Sequence, residues 1–242
     1  MLWYASIYTF AVLYLLVVVL NFYLSGWHYH HVLWVAAVAS IVLLANVLFV
    51  ISELKVFIAY MSVFHSTYIL MGALGSFQGA FASSVAYLVL YMVLVVHFMS
   101  IVLVLRGRNL QFLTDLQGLS SVQGLSAGFI CVFAAMSGIP PLLGFWAKIS
   151  IISALLAHSE VALATLALAG GLLLMYFYLQ NYRFNTATVK SFAGSCVAVV
   201  DVLGGLFALM GVGVLLNVSA LFLVNDLWNF CMFFVEASTF EL

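Results

Sequence analysis

Ser137-Gly138-Ile139-Pro140-Pro141-Leu142-Leu143-Gly144-Phe145-Trp146-Ala147-Lys148 lies inside an apolar segment that runs from Gly124 to Ala157. As one straight helix that segment would measure about 50 Å at 1.5 Å per residue, too long for a hydrocarbon core of about 30 Å. It must bend or break. Pro140 and Pro141 mark the place, because they offer no N–H to the carbonyls of Met136 and Ser137 and their rings push those carbonyls aside. Carbonyls freed in hydrocarbon have to be met by polar side chains or water. Lys148 follows about two turns later, and discontinuous helices whose ends point into wet cavities are how transporters build ion sites. Gly138, Pro140, Pro141 and Gly144 are therefore the candidate break, and Lys148 the candidate ionisable group beside it.

The rest of the chain agrees that the bilayer is its solvent. Of 242 residues, 67% are hydrophobic and 5% charged, with a mean hydropathy of +1.29, against roughly 25% charged residues in soluble domains. The pattern predicts an all-α integral membrane protein, a single domain of about seven spans: Leu2–Leu24, Val32–Ser52, Val56–Leu74, Ala80–Leu105, the interrupted Gly124–Ala157, Val161–Tyr182 and Val197–Leu216. Residues 217–242 mix Trp228, Phe230, Phe233 and Phe234 with Asn225, Asp226 and Glu236, and read as an interfacial or additional helix. The first apolar run has neither a basic leader nor a small-residue cleavage site and is expected to be retained. With no Arg-rich transit segment, synthesis inside the organelle or bacterium is the simpler expectation.

Apart from Lys148, every basic residue falls in an alternate loop: Lys55, then Arg106 and Arg108, then Arg183 and Lys190. The positive-inside rule puts those loops and the N-terminus on the matrix or cytoplasmic side and the C-terminus opposite. Trp27, Tyr29 and Trp34 suit an interfacial belt around the first outer loop. His28, His30 and His31 share that loop, but three histidines without a carboxylate or cysteine are a weak ligand set, so no metal is assigned. Cys131, Cys196 and Cys231 lack ligand spacing and read as small hydrophobes. A net charge of −1 gives no pull toward nucleic acid; lipids and other membrane chains are the expected partners.

Depth along each span follows from the helical rise. His65 lies roughly 15 Å below Lys55, His97 roughly 13 Å below Arg106, and Lys148 roughly 15 Å from His158 at the opposite face. Each would cost at least about 2.5 kcal/mol there if charged and unpaired, so a paired or hydrated internal row is expected. Lys148 is too deep for its ammonium to reach water by extension alone. Lysines held out of water exchange protons near neutral pH more readily. A second charge arriving ~8 Å away changes such a group's energy by about 2 kcal/mol at an effective dielectric of 20, enough to eject or recruit a proton.

Glu53-Leu54-Lys55-Val56-Phe57-Ile58-Ala59-Tyr60-Met61-Ser62-Val63-Phe64-His65, continued by Tyr68 and Gly72, resembles the signature of the antiporter-like subunits of respiratory complex I, the proton-pumping NADH:ubiquinone oxidoreductase. The Ser137–Lys148 stretch is similar to the broken helix of the subunit 2 family, Gly-(Ile/Leu)-Pro-Pro-x-x-Gly-Phe-x-x-Lys. Subunit 4 relatives carry glutamate where Lys148 stands, and subunit 5 relatives usually carry Gln where His65 stands. Asp115-Leu116-Gln117-Gly118-Leu119 resembles the loop before that helix, and Leu172 to Arg183, with Tyr176, Tyr178 and Tyr182, the aromatic-rich helix after it.

The resemblance covers the C-terminal half of that family and implies an antiporter-like half bundle, part of two inverted five-helix repeats that pump protons in response to quinone reduction. Lys148 corresponds to the terminal lysine facing the external half-channel, with His65 and Lys55 as its inner neighbours. NADH, FMN, iron–sulfur clusters and ubiquinone would belong to other subunits, with no cofactor and no redox chemistry on this chain, and the location implied is the mitochondrial inner membrane. The family's first repeat carries an essential glutamate and a lysine, and the helix matching the first span another lysine, roughly where Val12 stands; here no charged residue precedes Glu53. Either a separate chain supplies that half, or it is lost and the subunit is a scaffold with a vestigial site. The alternatives are a subunit of a multisubunit cation/proton antiporter and a structural membrane spacer.

Overall fold

The computed structural model describes residues 27–75, 78–105, 123–140, 142–157 and 159–186, with residues 11, 14, 15, 112, 211, 213, 215, 226 and 229–233 besides. Within the continuous described stretches six helices follow in order: α1 (Trp27–Leu48), α2 (Leu54–Leu74), α3 (Gln78–Leu105), α4 (Gln123–Ser137), α5 (Leu143–Ala157) and α6 (Val161–Thr186). Four contain stretches long and apolar enough to cross a membrane: His31–Leu48, Leu54–Leu74, Gly79–Val102 and Val161–Asn181. At 15 residues each, α4 and α5 reach only about 22 Å. Neither crosses alone, so together they form the single broken span expected between Gly124 and Ala157. The expected spans Leu2–Leu24 and Val197–Leu216 and the segment 217–242 lie almost wholly outside the described residues. Among those described, the only non-helical pairing is an antiparallel bridge between Glu53 and Phe112.

Boundaries agree within a few residues except for α1, expected over Val32–Ser52. The helix starts at Trp27, so His28, His30 and His31 stand in its first turns and not in a loop. It ends at Leu48 because the chain turns there, with the Val50 N–H bonded to the Val47 carbonyl at 3.0 Å. Phe49, Val50 and Ile51 are apolar, which hydropathy counts as span. The Phe49 ring instead packs edge-on against Phe177 with centroids 4.9 Å apart. Among the described residues no group of three or more His, Cys, Asp or Glu is placed to hold a metal ion.

Lipid tails are as apolar as leucine, so helix association here depends on close packing and hydrogen bonds. All six helices contribute to the core: Ala37 of α1, Phe64 and Tyr68 of α2, Leu88 of α3, Phe133 of α4, Ile151 of α5 and Phe177 of α6 are essentially inaccessible. Small residues allow close approach; a Cβ at Gly72 on α2 would come within 3.1 Å of the Ser84 Cβ on α3. Hydroxyls tie α1 to α2, where Ser40 and Thr67 are 3.2 Å apart. The half-helix α5 packs against α2, α3 and α6, which places its buried face, including Lys148, at the middle of the bundle.

Candidate functional site

Helix α4 ends in a glycine cap. Gly138 has φ +82°, its N–H bonds to the Ala135 carbonyl at 3.1 Å, and the Ile139 N–H reaches back to the Ala134 carbonyl at 3.1 Å. This is the Schellman arrangement, which favours glycine because a side chain is disfavoured in the left-handed region. Two of the four terminal carbonyls are thereby satisfied. The remaining two, on Met136 and Ser137, are the pair that the prolines were expected to free. The helix stops one step earlier than that reasoning held, at the glycine, and the chain then turns with the Leu142 N–H on the Ile139 carbonyl at 3.0 Å. Pro140 lies in this turn, and Pro141 falls outside the described residues.

Lys148 takes both carbonyls. Its Nζ donates to the Ser137 oxygen at 2.6 Å and to the Met136 oxygen at 3.2 Å. Side chains tilt toward the N-terminus of their own helix, so a lysine in the second turn of α5 points back at the break. The C-terminal end of α4 carries partial negative charge, which favours a cation. Hydrogen bonds from a charged donor contribute about 1.5–3 kcal/mol each, enough for two of them to offset the cost of an ammonium at this depth. The residue is 7% exposed. Two glycines make room for it. A Cβ at Gly138 would lie 2.9 Å from Nζ, and one at Gly144 would overlap the Ala135 carbonyl oxygen, so Gly144 lets the two half-helices meet.

The ammonium also stands over the Tyr68 ring, 5.9 Å from its centroid, within cation–π range. Tyr68 stacks almost parallel on Tyr87 at 5.8 Å and donates its hydroxyl to the Ala167 carbonyl of α6. Tyr87 in turn meets His65, whose Nδ1 is 2.8 Å from the Tyr87 hydroxyl and whose Nε2 is 3.3 Å from the Tyr178 hydroxyl. Tyr91 stacks on the imidazole at 4.7 Å. Finally Tyr178 donates to the Met136 sulfur at 3.3 Å. His65 and Lys148 are thus linked twice, through Tyr68 and Tyr87 and through Tyr178 and Met136. Beside His65 lies a cavity of about 10 Å³ lined by His65, Tyr87, Tyr91, Leu94, Met136, Gly144 and Ala147, space for about one water.

The structure therefore gathers Lys148, His65, Gly138 and Gly144 into one cluster and leaves two of the expected residues outside it. His97 is buried, at 3% exposed, but it neighbours Gly213, where a Cβ would come within 2.5 Å of its ring. It stands six positions past Tyr91, about 240° further round α3, whereas Tyr87 and Tyr91 are about 40° apart and share the His65 face. Lys55 is exposed in the first turn of α2, ten residues or roughly 15 Å along the helix from His65. Tyr87, Tyr91 and the side chain of Met136 were not among the residues singled out from sequence, and Tyr68 and Tyr178 entered only as parts of a resemblance. Tyrosines at mid-span were the available signal, since a buried hydroxyl needs a partner.

Comparison with known proteins gives a consistent picture. A model of the NADH:quinone oxidoreductase/Mrp antiporter transmembrane family matches residues 1–173. An NADH-quinone oxidoreductase subunit N from Laribacter hongkongensis is 27% identical over 208 residues, 84% of this chain and 42% of the relative. The subunit N of Xanthomonas euvesicatoria pv. vesicatoria is 31% identical over 132 residues, 53% of this chain and 27% of the relative. Among solved structures, a chain of the Mrp complex from a Dietzia species superposes with a TM-score of 0.69 at 18% identity, covering 83% of this chain and 46% of that one. A chain of respiratory complex I from Thermus thermophilus with bound NADH does so with a TM-score of 0.60 at 18% identity, covering 86% and 44%. The chain spans less than half the length of each of these proteins.

Proposed function

This chain belongs to the NADH:quinone oxidoreductase/Mrp antiporter transmembrane family, and from that premise we propose that it serves as a proton-translocating membrane-arm subunit of an NADH:quinone oxidoreductase, of the subunit 2 or subunit N kind. The observation that carries the reading is Lys148, buried and held on the two carbonyls that the helix break leaves over. A charged donor bonds roughly twice as strongly as a neutral one. The protonated lysine is therefore seated on the end of α4, and losing its proton loosens that seat. A charge arriving nearby from a neighbouring subunit shifts the balance between the two forms. Arrival of positive charge thus becomes release of a proton, and its withdrawal becomes uptake.

On this proposal NADH oxidation and quinone reduction, with FMN and the iron–sulfur clusters, take place on other subunits. The partners are the remaining membrane-arm subunits and a polypeptide supplying the other half of the relatives' length, continuous with this one or separate. The proposed membrane is the mitochondrial inner membrane, with the helix ends and connections bearing Lys55, Arg106, Arg108, Arg183 and Lys190 on the matrix side. Lys148→Met in the intact complex is expected to abolish or sharply reduce protons moved per NADH oxidised in sealed vesicles. Undiminished pumping would leave only the structural-spacer reading. The family's other branch supports a second reading, a cation/proton antiporter subunit. Proton movement that depends on a sodium gradient and not on NADH and quinone would favour it.

A further inference from the structure

The Tyr178 hydroxyl has one proton and two acceptors within reach, the Met136 sulfur at 3.3 Å and His65 Nε2 at 3.3 Å. When the proton points at sulfur, Tyr178 can only accept from an Nε2–H, and the bare Nδ1 accepts from the Tyr87 hydroxyl at 2.8 Å. When the proton turns to Nε2, the ring must carry its hydrogen on Nδ1 and donate to Tyr87. Both arrangements satisfy both ring nitrogens, and they differ in the tautomer and in whether the sulfur has a partner. A proton entering at Nδ1 and another leaving from Nε2 convert the first into the second without changing the ring's charge. A thioether, however, neither holds a proton nor hands one on. With its hydroxyl turned to sulfur, Tyr178 is a closed end.

Met136 is also one of the two residues whose carbonyl holds the Lys148 ammonium. Its side chain lines the small cavity beside His65. Tyr178 lines a second cavity, of about 190 Å³, together with Ile130, Phe133, Ala134, Ser137, Ile139 and Leu179. The O–H···S contact joins the wall of one cavity to the wall of the other. We propose that Met136 is a positioning residue that couples Lys148 to His65: with the ammonium on its carbonyl, the last turn of α4 is fixed, its sulfur parks the Tyr178 hydroxyl, and the passage from His65 toward the larger cavity is shut. When the lysine gives up its proton, the turn relaxes and the hydroxyl leaves the sulfur. As a proton entering through Tyr87 is taken at Nδ1, Nε2 hands its own to the Tyr178 oxygen and the hydroxyl proton passes to water in the larger cavity, which leaves Tyr178 donating to the bare Nε2.

This inference rests on Lys148 acting as a proton carrier, but its test does not read pumping. The intact complex is labelled with ¹⁵N-histidine and reconstituted in lipid, and the His65 resonances are identified by their loss in His65→Gln. The wild-type protein is expected to show His65 mainly as the Nε2–H tautomer, and a dominant Nδ1–H form would overturn the proposal without any variant. Met136→Leu keeps the volume and removes the acceptor; it should raise the ratio of Nδ1–H to Nε2–H about fivefold, the effect of losing one modest hydrogen bond. Lys148→Met should move the ratio in the same direction. An unchanged ratio in Met136→Leu overturns the parking role, and an unchanged ratio in Lys148→Met overturns the coupling, even where that variant no longer pumps. Intact pumping in Lys148→Met would instead sink the carrier reading, and with it the premise of the inference, whatever the tautomer ratio.

Discussion

Adding one carbon at Gly138 tests the seat of the lysine. Gly138→Ala carries two penalties that the structure separates. The first belongs to the backbone: at φ +82° a side chain costs about 1–2 kcal/mol. The second belongs to Lys148, because the new Cβ would stand 2.9 Å from Nζ and 3.0 Å from Cδ. The ammonium must withdraw from the Ser137 and Met136 carbonyls, and its two charge-assisted bonds contribute about 1.5–3 kcal/mol each. Allowing for relaxation of a flexible side chain, the full cost is about 4–6 kcal/mol. In a Lys148→Ala background nothing is left to displace, and the same substitution should cost only the backbone's ~1–2 kcal/mol. The assay is a double-mutant cycle of four proteins, unfolded in mixed micelles, and the expected coupling is about 3 kcal/mol. Additive penalties would refute the close seating of the lysine against Gly138.

Three further outcomes follow from the same geometry. Tyr68→Phe should keep the ring beneath the ammonium and its stack on Tyr87, losing only the bond to the Ala167 carbonyl, for about 1 kcal/mol of stability and little change in pumping; Tyr68→Leu should lose both, and equal pumping in the two variants would show the ring to be dispensable. Gly144→Ala sets a Cβ onto the Ala135 carbonyl oxygen, a backbone atom that cannot step aside, so the amount of assembled complex in membranes should fall steeply on immunoblots. Gly171→Ala brings a Cβ to 2.7 Å from the Tyr68 hydroxyl; a loss of about 1–3 kcal/mol, the range for overpacking, is expected in thermal unfolding, with Gly170→Ala milder because its nearest neighbour is 3.4 Å away.

Much of the fold was legible because hydropathy and helix punctuation are local. The spans expected over Val56–Leu74 and Val161–Tyr182 agree with the helices Leu54–Leu74 and Val161–Thr186 to within two and four residues, and the broken span was located from its length and its Gly and Pro residues. Even the identity of the two leftover carbonyls was readable, although glycine capping, and not proline alone, ends the helix. The site was legible only in part. Helical rise supplies depth but not rotation, so His97 was grouped with His65 and Lys148 although it faces elsewhere on α3. The hydroxyl partners of His65 come from Tyr87 on α3 and Tyr178 on α6, which only the packing of distant segments brings together. Met136 looked like any apolar core residue, because nothing in a sequence marks a methionine as a hydrogen-bond acceptor. Phe49 misled for the opposite reason, being an apolar residue at a turn.

In the proposed mechanism Lys148 works by releasing and regaining a proton, not merely by carrying charge at the break. Arginine can bond the same kind of carbonyl pair but stays protonated under any physiological condition. Protons translocated per NADH oxidised should therefore be measured for the Lys148→Arg complex in sealed vesicles. A stoichiometry reduced to that of Lys148→Met is expected, while NADH oxidation in uncoupled vesicles persists. A wild-type stoichiometry in Lys148→Arg would contradict it, leaving the residue as a fixed charge at the helix break.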